Sequence, residues 1–171
     1  QLLKQARANE KKQELYEAIG FEIIGASTPK QLRELLLSQI ITRFQLLDVV
    51  LCLVDHHKDT ERMFFEHDEE ARLHLDNKLL ILDTQKDAEL IQSLSITPIL
   101  GADALKKYQW MIANLRTRDQ IKSAAFLPLV RSNRIIGALM LLSQDPHRYQ
   151  ANIGTLFLQK LSAMTAVAIE N

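Results

Sequence analysis

The residues best suited to metal chemistry are four histidines that stand among carboxylates in the middle of the sequence. The group comprises His56, His57, His67 and His74 with Asp55, Asp59, Asp68, Glu69 and Glu70. Imidazole and carboxylate side chains together can bind zinc or another divalent cation. Their spacing matches no compact ligand motif, however, and no cysteine lies among them. The pattern therefore favours the solvated rim of a hairpin over a metal site or a haem ligand.

A second group combines aromatic rings with a guanidinium. It comprises Tyr108, Trp110, Met111, Arg116 and Phe126. An aromatic wall beside an arginine can hold a flat or anionic ligand. The same side chains can instead seal the core beneath a loop, so a ligand site and plain packing remain alternatives. The sequence names no cofactor for this group.

The only cysteine, Cys52, lies inside an apolar run at residues 46–54. A catalytic cysteine is partly exposed beside a base or a cation. Cys52 is therefore predicted to be a small buried hydrophobe. A lone cysteine excludes an internal disulfide and is typical of the reducing cytoplasm, which is the predicted location.

Polar residues near the C-terminus indicate structure more than chemistry. We expect Asp145 to accept backbone N–H groups in a turn, and Arg148 to tie that loop to a neighbouring carboxylate; an anion contact from Arg148 is the less favoured alternative. Gly137 and Gly154 are predicted to allow close packing. The sequence shows no nucleophile–base pair, phosphate loop or paired carboxylates, so it does not predict catalysis.

The composition is that of an ordinary globular domain. The 171 residues are 47% hydrophobic and 25% charged, with a formal net charge of zero. That balance argues against nucleic acid as a partner, because phosphate binding needs a basic excess. No apolar run reaches the roughly 18 residues of a membrane span. The polar N-terminus does not have the pattern of a signal peptide.

Hydrophobic periodicity predicts helices at both ends. Residues 1–26 are rich in helix formers, and their apolar stripe is narrow enough that we expect a partner helix. A second amphipathic helix is predicted over residues 29–44 and a final one over residues 153–171.

Apolar runs predict strands at residues 46–54, 62–66, 78–82, 124–130 and 135–142. Short helices are predicted at residues 84–94 and 103–114, and a loop or short helix at 67–76. Ser132-Asn133 is expected to join the last two strands as a two-residue turn, since Asn tolerates positive φ. The predicted class is α+β, with helices mainly on one side of an antiparallel sheet.

This order of elements resembles the GAF domain. The residues that carry the match are Ser123, Pro128, Leu129, Gly137, Ser143, Asp145, Tyr149 and the closing run 166–171. The resemblance implies a GAF-like central antiparallel sheet of about six strands, with N- and C-terminal helices packed on one face. It also implies a ligand cavity on the other face, under a lid that includes Trp110.

A closer resemblance is to a GAF-like proteobacterial branch catalogued as a domain of unknown function. The matching motifs are Pro-x-Leu-Gly at 98–101, Ser-Ala-Ala at 123–125, Ser-x-Asp-x-x-Arg-Tyr at 143–149 and Gly-Thr-x-Phe-Leu at 154–158. This branch has no agreed ligand. Asn77-Lys78 begins the set that marks cyclic-nucleotide-binding GAF domains, but the rest of that set does not follow.

The resemblance implies a bacterial sensor at residues 28–171, preceded by a signalling and dimerisation helix at residues 1–27. The last helix of such domains usually continues into an effector, for which we expect a diguanylate cyclase. An unknown small-molecule ligand is expected, together with a parallel homodimer whose terminal helices touch through Leu15, Ile19, Ile23, Leu161 and Met164. The alternative is a structural dimerisation module whose cavity is filled by Phe64, Trp110 and Phe126. A free-standing enzyme is least favoured.

Overall fold

The structure, a computed structural model, describes residues 1–55, 60–65, 68–75, 77–150 and 155–170. Its strands are β1 (Asp48–Asp55), β2 (Leu79–Asp83), β3 (Ile99–Leu100), β4 (Ser123–Arg131) and β5 (Arg134–Ser143). These five strands form one sheet in the order β2-β1-β5-β4-β3. β1 and β2 pair in parallel, and the other neighbouring strands are antiparallel. The predicted α+β class is confirmed, with five described strands in a mixed sheet.

Helices occupy much of the remaining described chain. They are α1 (Leu2–Ile24), α2 (Pro29–Glu34), α3 (Ile40–Arg43), α4 (Thr60–Phe65), α5 (Glu69–His74), α6 (Ala88–Ser93), α7 (Ala102–Lys107), α8 (Gln109–Ile112) and α9 (Leu156–Glu170). A π-helical turn (Leu35–Gln39) joins α2 to α3, and a 3₁₀ turn (Arg118–Gln120) follows α8. The predicted helices at the N-terminus are confirmed. Thr28 caps α2 by accepting the backbone N–H of Gln31 at 3.1 Å, as expected of a threonine before a helix.

The strand predicted at residues 62–66 is wrong, because the described part of that segment forms α4. β1 already has β2 on one side and β5 on the other, so it offers no free edge to a further strand. A helix also lets the adjacent side chains of Phe64 and Phe65 both become buried, whereas neighbours in a strand point to opposite faces. Tertiary packing has overridden the β-propensity of these phenylalanines.

The helix predicted at residues 84–94 begins later, at Ala88. The carboxylate of Asp83 accepts the backbone N–H groups of Gln85 and Lys86, at 2.8 and 3.0 Å. These bonds hold the first residues of the predicted helix in a turn, since a short acidic side chain competes with helix formation for local N–H groups. The helix predicted at residues 103–114 is broken in two at Tyr108, between α7 and α8.

The β4–β5 hairpin matches its prediction. Ser132 and Asn133 have φ angles of 51° and 61°, the left-handed values that a tight two-residue hairpin turn requires. Farther along β5, Gly137 lies against β1. A Cβ atom there would lie 2.2 Å from the carbonyl oxygen of Cys52. The predicted role of Gly137 in close packing is confirmed; Gly154 lies outside the described residues.

Two apolar layers flank the sheet. On one face, α1, α2, α3 and α9 pack over residues such as Leu51, Leu127 and Leu139. The predicted placement of the terminal helices on one face is thereby confirmed. On the other face, α6, α7 and α8 pack over Cys52 and Phe126, among others. None of the helices in the described part of the chain has the length and apolar character that crossing a bilayer requires.

Candidate functional site

The sheet face opposite the terminal helices carries several small side chains. Cys52, Ala124 and Ala138 belong to its buried cluster, and Cys52 stands directly opposite Ala138 in the register of β1 and β5. The other face carries leucines at the corresponding central positions of the sheet. Small residues leave room above the sheet, which larger side chains from α7 and α8 fill.

Tyr108 fills the centre of this space. Its ring is fully buried and lies on that of Phe126, with the centroids 3.9 Å apart and the planes 8° from parallel. The hydroxyl group accepts the backbone N–H of Ser95 at 2.8 Å and donates to the carbonyl of Ser93 at 3.0 Å. The interior that a small ligand would enter is therefore occupied by a side chain with both hydrogen-bonding functions satisfied.

An open groove of about 720 Å³ lies outside Tyr108, between α7, α8 and the 3₁₀ turn. Its lining residues are Ala102, Leu105, Lys106, Gln109, Trp110, Ile112, Ala113, Arg118, Asp119 and Ile121. Trp110 lies edge-on to the Tyr108 ring, with centroids 6.3 Å apart. Arg118 donates to the carbonyl of Ala113 at 3.3 Å, which holds its guanidinium at the groove. The groove thus combines an aromatic wall with two cations and one carboxylate.

The segment of chain that forms this groove carries an excess of basic residues. Residues 102–122 contain five basic and two acidic side chains, while the whole chain has a formal net charge of zero. Clustered charge of one sign raises the local concentration of oppositely charged ligands. The chemistry of the site suits a ligand with an aromatic plane and a negative charge.

The structure separates the five residues that the sequence grouped as ligand-binding. Tyr108, Met111 and Phe126 are buried together, Trp110 lines the groove, and Arg116 is exposed away from the lining. Lys106 and Arg118 also line the groove and were not among the predicted site residues. Spacing alone could not have revealed Lys106, because it lies on α7 and Trp110 lies on α8, with the helix break at Tyr108 between them.

Cys52 and the loop after β5 have structural roles. Burial raises the pKa of the Cys52 thiol to about 12, so the thiol stays protonated and unreactive. Asp145 accepts the backbone N–H of His147 at 2.9 Å. Arg148 binds the carbonyl oxygens of Phe44 and Gln45 at the end of α3. Within the described ranges, Arg148 thus contacts backbone carbonyls and the ring of Tyr149, and none of its hydrogen bonds there goes to the carboxylate that the sequence suggested.

One member of the histidine group, His74, lies in the described residues. His74 is exposed on α5, and His56, His57 and His67 lie outside the described residues. Over the ranges that the structure covers, no three His, Cys, Asp or Glu side chains are placed to share a metal ion. The prediction that these histidines bind no metal therefore stays a prediction.

The terminal helices pack on each other within one chain. Ile19 and Ile23 of α1 and Leu161 of α9 are at most 1% exposed. Gly20 makes the crossing close, because a Cβ there would lie 2.2 Å from the sulfur of Met164; Leu15 is only partly buried. These five predicted dimer contacts thus form an intramolecular seam, and the homodimer itself stays a prediction.

Comparisons with known proteins agree with this architecture. The structure is similar to the crystal structure of the GAF domain from Acinetobacter phosphoenolpyruvate-protein phosphotransferase, with a TM-score of 0.59 and 13% sequence identity over 94% of this chain and 93% of that one. At this identity the likeness shows the GAF fold alone. No curated protein matches the sequence. A family model described as "Protein of unknown function, DUF484" matches residues 1–171, and the chain therefore belongs to the DUF484 family.

Proposed function

We propose that this chain is a regulatory sensory domain that binds a planar, anionic small molecule on the α7–α8 side of its sheet. The observation that carries the proposal is the groove in which Trp110 stands with Lys106 and Arg118. An indole offers an apolar face for a flat ligand, and the two cations select a negative charge. The GAF fold is consistent with regulation by a small ligand.

The test uses Trp110, the only tryptophan in the sequence, as a fluorescent reporter. Planar carboxylates and phosphates are screened for a change in its emission and for a rise in melting temperature. We expect binding that Arg118→Ala weakens about tenfold, as the loss of a charged hydrogen bond does. Arg116→Ala is the matched control, because it removes the same charge from an exposed residue outside the groove. Equal loss in both variants would mean that the groove is not the site.

The domain itself is proposed to be non-catalytic and cytoplasmic, and to control a diguanylate cyclase. The resemblance of its motifs to GAF-like sensors of bacterial signalling proteins supports this part of the proposal. Reading the gene downstream of residue 171 for a Gly-Gly-Asp/Glu-Glu-Phe motif tests it. With the motif present, cyclic-di-GMP synthesis by the full protein should respond to the ligand found in the screen, and an unresponsive cyclase would contradict the proposed control.

A structural dimerisation module with a filled pocket is the second candidate. The buried stack of Tyr108 on Phe126 favours it. The other two side chains expected to fill the pocket do not occupy it. Trp110 lines the open groove, and Phe64 is buried on the opposite face, with the terminal helices. A screen in which no anion changes Trp110 emission, while the protein is dimeric, would favour this candidate.

A further inference from the structure

We infer that Tyr108 occupies the inner part of a ligand site, and that a hydroxyaryl anion binds there by displacing it. Such a ligand has a planar ring with a hydroxyl group at one end and a negative charge at the other. The inference rests on the proposed function, since it adds the interior half of the same site. Three features of Tyr108 support it: the packing of its ring, the hydrogen-bond partners of its hydroxyl group and the short helices on either side of it.

The ring of Tyr108 defines a flat slot. It lies parallel to Phe126 with 3.9 Å between centroids and is fully buried. Stacking of this kind depends on ring geometry and not on the covalent attachment of the ring. A free ring of the same size can therefore make the same contacts with Phe126.

The partners of the Tyr108 hydroxyl select the ligand's chemistry. One partner is the backbone carbonyl of Ser93, the last residue of α6. The other is the backbone N–H of Ser95, two residues later. If the ring left without a substitute, a donor and an acceptor at this part-buried point would lose their partner, which has a free-energy cost. A ligand that replaces Tyr108 must both accept and donate at this point, as a hydroxyl group does and a plain hydrocarbon does not.

The backbone around Tyr108 has features that would allow its side chain to leave the core. Tyr108 lies between two helices of six and four residues, with non-helical φ and ψ of −115° and 35°. Gly101, just before α7, has φ of 81°. Helices this short are held by packing and not by their own stability, and local opening of this segment would release Tyr108 from the core. Trp110 stands beside Tyr108 at the groove, and opening would join the slot to the cations of Lys106 and Arg118.

The experiment compares 4-hydroxyphenylacetate with phenylacetate, which lacks the hydroxyl group. Calorimetry is carried out on the wild-type protein and on Tyr108→Ala. We expect 4-hydroxyphenylacetate to bind the variant about tenfold or more tightly than the wild type, because no tyrosine has to be displaced. Phenylacetate should bind the variant about fivefold more weakly than 4-hydroxyphenylacetate does, since it leaves the Ser95 N–H and the Ser93 carbonyl without a partner. In the wild type, 4-hydroxyphenylacetate at millimolar concentration should shift the amide resonance of Ser95.

The matched control is Tyr149→Ala, which truncates another buried tyrosine, on the opposite face of the sheet. It should bind 4-hydroxyphenylacetate as the wild type does. Equal affinity of folded Tyr108→Ala for the two acids, or no binding, would overturn the inference. Should Tyr108→Ala fail to fold, the wild-type spectrum decides, and an unmoved Ser95 resonance rejects displacement.

The uncharged probe p-cresol separates this inference from the proposed function. Tight binding of p-cresol to Tyr108→Ala, together with no effect of Arg118→Ala on the acids, would support the slot and refute the anion groove. In the reverse result, binding of an acid depends on Arg118, the Ser95 amide resonance does not shift, and Tyr108→Ala does not raise the affinity. It would keep the proposed function and overturn the displacement of Tyr108.

Discussion

Arg33 carries its charge into the protein interior, where its side chain is 4% exposed. It donates to the carbonyl of Phe64 at 2.8 Å and to the carboxylate of Asp68 at 2.9 Å, and its guanidinium lies 5.5 Å from the ring centre of Phe65. A buried guanidinium without its carboxylate partner is costly. The bond to Phe64 therefore fixes α4 to α2, where the sequence had suggested a strand, and the pair with Asp68 fixes the start of α5 to α2.

This pair should make stability depend on pH. The hydrogen bond from Arg33 holds the pKa of Asp68 below its usual value, so the stabilisation is present above about pH 4 and is lost as pH falls through the folded pKa. Asp68→Asn removes the charge but keeps an α5 cap, because Asn also caps helices. Urea unfolding should show the variant less stable at neutral pH, with the difference shrinking in acid. Glu69→Gln is the control: its carboxylate is 80% exposed and 3.8 Å from Arg72. A pH-independent difference for Asp68→Asn would contradict the assignment.

At the scale of elements, the pairing of β5 with β1 depends on Gly137, which has no side chain. In Gly137→Ala the new Cβ would stand 2.2 Å from the Cys52 carbonyl and 3.1 Å from a methyl of Leu53. Neither β1 nor β5 can retreat, since each has a strand on both sides. We expect a loss of about 3 kcal/mol or more in unfolding free energy, the upper range for overpacking. In a chain of this size that corresponds to about 10 °C in melting temperature.

Gly25→Ala is the matched control for this prediction. The nearest atom to a new Cβ there is the Phe21 carbonyl oxygen at 3.2 Å, and the backbone has φ of −79°, which any residue adopts. The change in unfolding free energy should stay below about 1 kcal/mol. Similar losses for the two variants would show that the close approach at Gly137 is not what constrains the sheet.

The sequence predicts well those elements whose local chemistry agrees with their surroundings. The β4–β5 hairpin follows from two apolar runs around an Asn-containing turn, and the terminal helices follow from composition and spacing. Predictions failed where tertiary contacts decide. The segment around Phe64 became a helix, in which the neighbouring side chains of Phe64 and Phe65 are both buried. The break at Tyr108 had no propensity signal, so the positions of Lys106 and Arg118 at the groove could not be read from spacing alone.

At the scale of the whole molecule, one polar chain of contacts connects the groove side of the sheet with the helical side. The Thr117 hydroxyl donates to Asp48 at 2.8 Å, and Asp48 pairs with Lys78 at 3.1 Å. Lys78 in turn donates to the Leu37 carbonyl at 2.7 Å, inside the π-helical turn. Arg118, at the groove, is the next residue after Thr117. A continuous series of polar contacts therefore runs from the groove rim to the π-helical turn in the layer that contains α1.

The outer half of α1 is what a second copy of this chain would cover. Residues 2–14 are exposed throughout, and at 1.5 Å per residue they extend about 20 Å. A helix of that length is marginal in water without a partner. Exposed apolar side chains also occur at Leu2 and Leu3, which are 84% and 67% exposed. Because Ile19 and Ile23 are already buried within the chain, we now expect the homodimer to use these exposed residues.

Replacement of both leucines, Leu2→Glu with Leu3→Glu, should therefore turn a dimer into a monomer, with helix content lost only from the exposed residues 2–14 of α1. Two pairs of like charges would face each other in a parallel dimer, and the folded core would be untouched because neither side chain is buried. Light scattering coupled to gel filtration measures the mass, and circular dichroism the helix content. Leu73→Glu is the control, an equally exposed leucine on α5 at 79%, and it should remain dimeric. A wild-type protein that is monomeric at micromolar concentration would contradict the homodimer, and a double variant that stays dimeric would place the dimer contact outside these two residues.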